Sequence, residues 1–154
     1  MTKRLKAVSV KSTNSLDFLE KAFGLYENKT LFTVQRAGID LLEYQGLEVV
    51  DCLDAVPGGG WGKFSFASGN SNNPAQILFS SGTEGLPKPI VLSQRNISDV
   101  VTRLNAAMEP DETICEYIGV PVTYSFGLGR VRAVSAAGGK FFLPERFDPI
   151  EIRE

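Results

Sequence analysis

The chain of 154 residues contains no histidine. Histidine is the side chain whose ordinary pKa lies closest to neutrality, and it supplies the base of Ser-His-Asp triads and Cys-His dyads. It also supplies both nitrogen ligands of the HExxH zinc motif. The absence of histidine excludes these sites from the chain, so any chemistry carried out here proceeds without an imidazole base of its own.

Cysteine and long apolar runs are also scarce. Cys52 and Cys115 are the two cysteines, no CxxC motif is present, and we expect both to be buried, reduced thiols. No apolar run approaches the ~18 residues of a membrane-spanning helix, and the first residues lack the apolar stretch of a secretory signal. These absences predict a cytoplasmic protein that does not act at a membrane.

The chain has little net charge, because 16 basic residues stand against 18 acidic ones and leave a formal charge of −2. Domains that bind nucleic acid usually present a strongly basic surface, so this balance argues against a nucleic-acid partner. The acidic cluster Glu109, Asp111 and Glu112 is expected to be a solvated turn, and we assign no metal site. With 43% hydrophobic residues, the chain is expected to form one domain with a substantial core.

The first part of the chain, residues 1–67, alternates strand and helix patterns. In order, these are a strand at Ala7–Val10, a helix capped by Asn14 or Ser15 and ended by Gly24, a strand at Thr30–Gln35, a short helix at Gly38–Tyr44, and a strand at Leu47–Leu53. Strands separated by helices favour parallel pairing through a crossover, the βαβ unit. A polar stretch, residues 68–73, is expected to be a flexible connector to the second part, residues 74–154.

The second part continues the same alternation. Its predicted elements are strands at Ile77–Phe79 and Ile90–Leu92, a helix at Gln94–Met108, a strand at Ile114–Val120, a helix that carries Leu128, Val131 and Val134 and stops at Gly138–Gly139, and a strand at Lys140–Leu143. Ser93 is the expected cap of the first of these helices. Its expected buried stripe comprises Ile97, Val100, Val101, Leu104 and Met108. The sequence therefore predicts a single α/β unit with a mostly parallel sheet flanked by helices.

A polar loop between the strands that end at Phe79 and begin at Ile90 has the composition of a phosphate site. Glycines allow successive backbone N–H groups to point at one anion, hydroxyls add donors, and lysine adds a positive charge. The candidate residues are Ser80, Ser81, Gly82, Thr83, Gly85 and Lys88. The spacing is not that of a Walker A loop, and on composition alone a plain turn is the alternative. The other glycine-rich segment, Pro57–Lys63, is expected to be a turn.

The order of residues in this loop resembles the signature of the adenylate-forming superfamily, close to [YF]-[ST]-S-G-[ST]-[ST]-G-x-P-K-G. The matching positions are Phe79, Ser80, Ser81, Gly82, Thr83, Gly85, Pro87 and Lys88. Glu84 stands where a hydroxyl residue is usual, Pro89 where glycine is usual, and Gln94 where histidine is common. The resemblance implies that Ser80–Lys88 binds the phosphates of ATP.

A second motif, at Pro121–Gly129, resembles the family pattern P-x-x-H-x-x-G, which lines the acyl pocket. Tyr124 takes the place of the histidine, and the resemblance implies that Tyr124, Ser125 and Gly127 lie at this pocket. From the residues alone, the alternative interpretation of Tyr124 is a half-buried aromatic side chain at a strand end. Phe147-Asp148-Pro149 is similar to the F-D-P that follows in the family.

Together the motifs imply part of the N-terminal domain of an ATP-dependent ligase that activates carboxylic acids. ATP and Mg²⁺, a carboxylic acid, and an acceptor thiol of coenzyme A or a carrier protein are the implied cofactors and partners. The family's later segments supply the rest of the site, so we assign no catalytic residue here and expect the chain alone to be inactive. The alternative is a stand-alone, non-catalytic α/β module for weak nucleotide binding or protein interaction. A severed enzyme would expose apolar surface and could form a homodimer.

Overall fold

The computed structural model describes residues 3–80 and 85–147. It contains eight strands and three α-helices in these ranges. They are β1 (Leu5–Lys11), α1 (Leu16–Glu27), β2 (Phe32–Gln35), β3 (Leu47–Leu53), β4 (Gly60–Gly62), β5 (Pro74–Phe79), β6 (Pro89–Ser93), α2 (Gln94–Met108), β7 (Cys115–Tyr117), α3 (Ser125–Ala136) and β8 (Lys140–Leu143). A 3-10 helix at Leu41–Glu43 replaces the longer helix expected there. The α/β prediction is confirmed.

The strands form two sheets. The five-stranded sheet has the order β3-β1-β2-β5-β6, and the three-stranded sheet has the order β4-β8-β7. Parallel pairs join β1 to β2, β1 to β3, β2 to β5 and β7 to β8. The pairs β5–β6 and β4–β8 are antiparallel. The expected parallel arrangement is thus present, but β2 and β3 lie on opposite sides of β1 and do not pair with each other.

Helix α1 starts where the sequence predicts and ends later. The Ser15 hydroxyl caps it by accepting a hydrogen bond from the Phe18 N–H, at 3.1 Å. The helix then passes through Gly24 and continues to Glu27. Tyr26 explains the extension, because it continues the buried face of the helix and is itself buried. Packing of this face outweighs the weak helix propensity of a glycine.

Helix α2 has the predicted bounds, and Ile97 and Val101 of its predicted stripe are buried, but the rest of the buried face differs from the prediction. The Ser93 Oγ caps the helix by accepting a hydrogen bond from the Asn96 N–H, and the Asn96 Oδ1 in turn accepts one from the Ser93 N–H. Val100 and Met108, which were expected to be buried, are 45% and 55% exposed. Gln94 and Ser98 are buried instead. They face α1, where the Tyr26 hydroxyl lies 3.0 Å from the Ser98 Oγ and the Gln94 amide donates to the Tyr26 carbonyl at 3.4 Å.

The main core joins the two sheets and so makes the described residues one packed unit. It contains buried side chains from β1 and β2, from α1 and α3, and from β8 of the smaller sheet, including Val10, Phe18, Phe32, Leu128, Val131 and Phe141. The connector between the two parts is also tied to this unit. Gly69 N–H donates to the Ser98 Oγ at 2.7 Å, and the backbone N–H groups of Gln94 and Arg95 donate to the carbonyls of Asn73 and Ser71.

Three further expectations are wrong. Both cysteines are exposed, because Cys52 lies on β3 and Cys115 on β7, which are edge strands of their sheets. The strand expected at Ile114–Val120 shortens to Cys115–Tyr117. The glycine-rich segment expected to be a turn contributes β4, in which a Cβ on Gly62 would collide with the ring of Phe141. No helix of the described ranges is long and apolar enough to cross a membrane.

Candidate functional site

The predicted phosphate loop connects β5 to β6, and its two ends are hydrogen-bonded to each other. The Ser80 N–H donates to the Lys88 carbonyl at 2.9 Å, and the Lys88 N–H donates to the Ser80 Oγ at 3.0 Å. Phe79 and Pro89 face each other as the last pair of the antiparallel ladder. These contacts close the base of the loop at the carboxyl end of β5. Of the predicted loop residues, Ser81, Gly82 and Thr83 lie outside the described ranges, as does Glu84.

Gly85 and Lys88 lie in the described part of the loop. Gly85 has φ of +93°, a left-handed conformation that residues with a Cβ rarely adopt. Since nothing lies within 4 Å of a Cβ placed there, conformation and not space requires the glycine. The Lys88 side chain is exposed. We call Ser80, Gly85, Pro87 and Lys88 the loop rim.

Tyr44 supports the loop rim from the turn after the 3-10 helix. Its hydroxyl donates to the Pro87 carbonyl at 2.6 Å, and its ring lies 4.9 Å from the Phe79 ring, centroid to centroid. No local sequence pattern points to Tyr44, because its contact with Pro87 spans 43 positions.

The second motif forms a turn that leads into α3. Tyr124 occupies the cap position of the helix without a side-chain capping bond, and it is 57% exposed. Gly127 is buried in the first turn of α3, and a Cβ there would collide with the Pro121 carbonyl oxygen. Gly127 therefore allows the helix to pack against the turn. We call Pro121–Ser125 the turn rim.

A cleft of about 570 Å³ lies between the two rims. Its lining includes Ser80 and Pro87 from the loop rim and Tyr124 and Ser125 from the turn rim, together with residues at the carboxyl ends of β2 and β5. The structure thus brings together two motifs that are 44 residues apart in the chain, Ser80 and Tyr124. Ligands of open α/β sheets bind at the carboxyl ends of strands. A larger, shallower depression of about 1040 Å³ lies at the amino ends of β1, β2 and β5, and it is lined by none of the predicted site residues.

Arg36, directly after β2, also lines the cleft, and sequence reasoning did not select it. Its Nη2 donates to the Thr123 carbonyl, and its Cζ lies 3.7 Å from the centroid of the Tyr124 ring. A guanidinium over an aromatic face is an attractive cation–π contact. The available signal was its position at the carboxyl end of a predicted parallel strand.

Helix α3, which follows the turn rim, carries two buried arginines. Arg130 donates to both carboxylate oxygens of Glu116, at 2.8 and 2.6 Å, and this hydrogen bonding raises its pKa. Arg132 donates from Nη2 to the Gln76 Oε1 at 3.0 Å, and burial lowers its pKa to about 10. Because Gln76 lies on β5, the second contact connects the helix behind the turn rim to the strand that leads into the loop rim.

A comparison with protein families matches residues 6–153 to the AMP-binding enzyme model. The match covers nearly all of the chain. The chain belongs to the AMP-binding enzyme family. The resemblance based on the two motifs is therefore confirmed at the level of the family.

Individual proteins are also similar to this chain. The nonribosomal peptide synthetase asqK of Emericella nidulans is 33% identical over 79 residues, which is 51% of this chain and 3% of that protein. Apo MatB from Rhodopseudomonas palustris has a TM-score of 0.73 at 16% identity, over 97% of this chain and 37% of MatB. A crystal structure of ATP-bound MatB has a TM-score of 0.71 at 16% identity, over 99% of this chain and 37% of that one.

The same fold occurs in the N-terminal domain of FACL13 from Mycobacterium tuberculosis. The TM-score is 0.70 at 12% identity, and the match covers 99% of this chain and 47% of that domain's chain. The described fold is therefore that of part of such an N-terminal domain. The chain spans less than half the length of each of these relatives.

Proposed function

We propose that this chain is the ATP-phosphate-binding part of an adenylate-forming ligase that activates a carboxylic acid. One observation carries the proposal: the reciprocal hydrogen bonds between Ser80 and Lys88 close the loop at the edge of a cleft whose other side is Tyr124 and Ser125. A phosphate site and an acid site on facing rims are what the joining of a carboxylate to ATP needs. Family membership supports the same reaction class.

In this proposal the loop binds the pyrophosphate part of ATP. The binding residues are Ser80, Ser81, Gly82, Thr83, Gly85 and Lys88. Negative charge builds on the leaving phosphate oxygens as the acid attacks the α-phosphate, and a lysine with preorganised N–H and hydroxyl donors stabilises that charge. The attacking carboxylate is already ionised near neutral pH, so the lack of histidine is compatible with the reaction.

The acid lies on the turn-rim side, against Tyr124 and Ser125, with Gly127 holding the helix close behind them. Within residues 3–80 and 85–147, no group of three His, Cys, Asp or Glu side chains could hold a metal ion. We therefore assign Mg²⁺ to the phosphates of ATP, since Mg²⁺ is usually bound through substrate phosphates and few carboxylates. The acceptor is a thiol of coenzyme A or of a carrier protein, and the setting is cytoplasmic.

Lys88 provides the test of the phosphate site. Lys88→Met should weaken binding of Mg-ATP by the chain about tenfold, and should lower acid-dependent ATP–pyrophosphate exchange by the complete ligase to a similar extent, about 1.4 kcal/mol. Lys63→Met is the matched control, because Lys63 is an exposed lysine in the other glycine-rich segment. Equal ATP affinity in wild type and Lys88→Met would refute the phosphate assignment.

A non-catalytic module is the second candidate, and Pro89 is the observation that favours it. Pro89 begins β6 at the exit of the loop and has no N–H to offer an anion.

The oligomeric state separates the two candidates. A module that acts alone should be a monomer with little exposed apolar surface. A piece of a larger enzyme should bind a hydrophobic dye and form homodimers through side chains such as Trp61 and Phe126, which are 59% and 68% exposed. Light scattering distinguishes the two.

A further inference from the structure

The cleft between the rims has one charged side chain among the described residues that line it. That side chain is Arg36, and the other described lining residues are apolar, hydroxyl-bearing or glycine, with no aspartate or glutamate among them. A cation with no carboxylate beside it in the described lining favours a positive potential in the cleft, and apolar walls strengthen the effect of that cation on a bound anion.

The contacts that hold Arg36 in place in the described structure are made to groups without a formal charge. It is half-buried, its guanidinium lies over the Tyr124 ring at 3.7 Å, and one N–H group donates to the Thr123 carbonyl. A guanidinium has five N–H donors in a planar fork. The ion pairs found in the described part of the chain are Lys21–Asp17, Arg103–Asp99 and Arg130–Glu116, so no carboxylate there pairs with Arg36.

Arg130 shows what such a guanidinium does when a carboxylate is available. It forms a two-pronged contact with Glu116, at 2.8 and 2.6 Å. This planar, bidentate geometry is the preferred way in which arginine binds a carboxylate. Arg36 offers the same chemical group at the wall of an open cleft, beside the side chains predicted to contact the acid.

We propose that Arg36 binds a second carboxylate of the acid, so that the cleft selects dicarboxylic acids over monocarboxylic acids of the same length. This inference rests on the proposed function. The reacting carboxylate must approach the ATP held by the loop rim, and a carboxylate bound by both prongs of an arginine has both oxygens engaged. Arg36 is therefore suited to bind the carboxylate that does not react. This role makes Arg36 a specificity-determining residue.

The test compares succinate with butyrate, which have the same number of carbons and differ in one carboxylate. The ¹⁵N-labelled chain is titrated with each acid, and the Arg36 Nε–H and the Tyr124 and Ser125 amides are followed by NMR. Succinate should bind at least about fivefold more tightly than butyrate and shift all three signals. Arg36→Met should remove this preference. Arg95→Met, which removes an exposed guanidinium from α2, should keep it.

Equal affinity for the two acids in the wild type overturns the inference, whatever the variants do. A succinate preference that survives in Arg36→Met, with the Val10 and Phe32 amides showing an intact sheet, also overturns it. Inorganic tripolyphosphate is the third probe: if it shifts Arg36 and succinate does not, Arg36 is a phosphate ligand and not an acid ligand. Failure of Mg-ATP to shift the Ser80 and Lys88 amides would count against the phosphate site alone, and the succinate result would stand separately.

Discussion

The two rims of the cleft are built in different ways. The loop rim is closed by hydrogen bonds between residues that are eight positions apart, Ser80 and Lys88. The turn rim is held by long-range contacts: the Val122 N–H donates to the Asn14 Oδ1, 108 positions away, and Arg36 donates to the Thr123 carbonyl, 87 positions away. A locally closed loop can be recognised from a short stretch of sequence, whereas the turn depends on how distant segments pack.

The hydrogen bond between Arg132 and Gln76 connects α3, behind the turn rim, to β5, which leads into the loop rim. Its contribution to stability can be measured with variants. Gln76→Met leaves a buried guanidinium without its acceptor at 3.0 Å, so we expect a loss of about 3 kcal/mol in the free energy of unfolding. Adding Arg132→Met removes the unpaired charge and should restore most of that loss. Urea unfolding of both variants measures this. A double variant no more stable than the single one would contradict the account.

The turn rim should be sensitive to a single methyl group. Gly127→Ala places a Cβ against the Pro121 carbonyl oxygen, and we expect it to lower the free energy of unfolding by about 2 kcal/mol. Gly129→Ala is the control on the same helix, because nothing lies within 4 Å of its Cβ. That change should be neutral or stabilising, by up to about 1 kcal/mol, from helix propensity. Equal unfolding midpoints for the two variants would show that the turn accommodates the methyl group.

Removing the Tyr44 hydroxyl should destabilise the loop rim without affecting the rest of the sheet. Tyr44→Phe keeps the ring contact with Phe79 and removes the 2.6 Å hydrogen bond to the Pro87 carbonyl. We expect a cost of about 1 kcal/mol, confined to the loop. Hydrogen exchange of the Ser80 and Lys88 amides should therefore become about fivefold faster, while amides of β1 remain unchanged. A uniform change over the sheet would mean that the loop is not an independent unit.

Elements specified by nearby residues were predicted well. The bounds of α2 and its Ser93 cap were correct, as were those of β3 (Leu47–Leu53) and β8 (Lys140–Leu143). Capping residues and turn glycines act over a few positions, so a single sequence contains the needed information. The assignment of the loop-rim residues to phosphate binding rests on the same kind of local pattern and stays a prediction.

Features decided by packing were missed. The extension of α1 depends on the burial of Tyr26 against α2, and the exposure of Cys52 depends on β3 lying at a sheet edge. The burial of Gln94 and Ser98 on α2 depends on their hydrogen bonds with Tyr26 of α1. Arg36 belongs to this group, because its partner Thr123 is distant in the chain. Long-range pairing cannot be derived from hydrophobic periodicity within one segment.

The smallest expected effect is a pH dependence of stability that comes from Asp17, a residue of neither rim. Hydrogen bonds from the Lys21 side chain and the Val56 N–H hold the pKa of Asp17 below its ordinary value of 3.8. A carboxyl whose pKa is lowered on folding stabilises the fold above its unfolded value, and the contribution disappears as the pH falls through the folded value. Asp17→Asn should thus lower stability at neutral pH and flatten the loss below pH 3.8. The amides of Ser80 and Tyr124 should show no response to this change, since Asp17 contacts the segment before β4 and not the cleft.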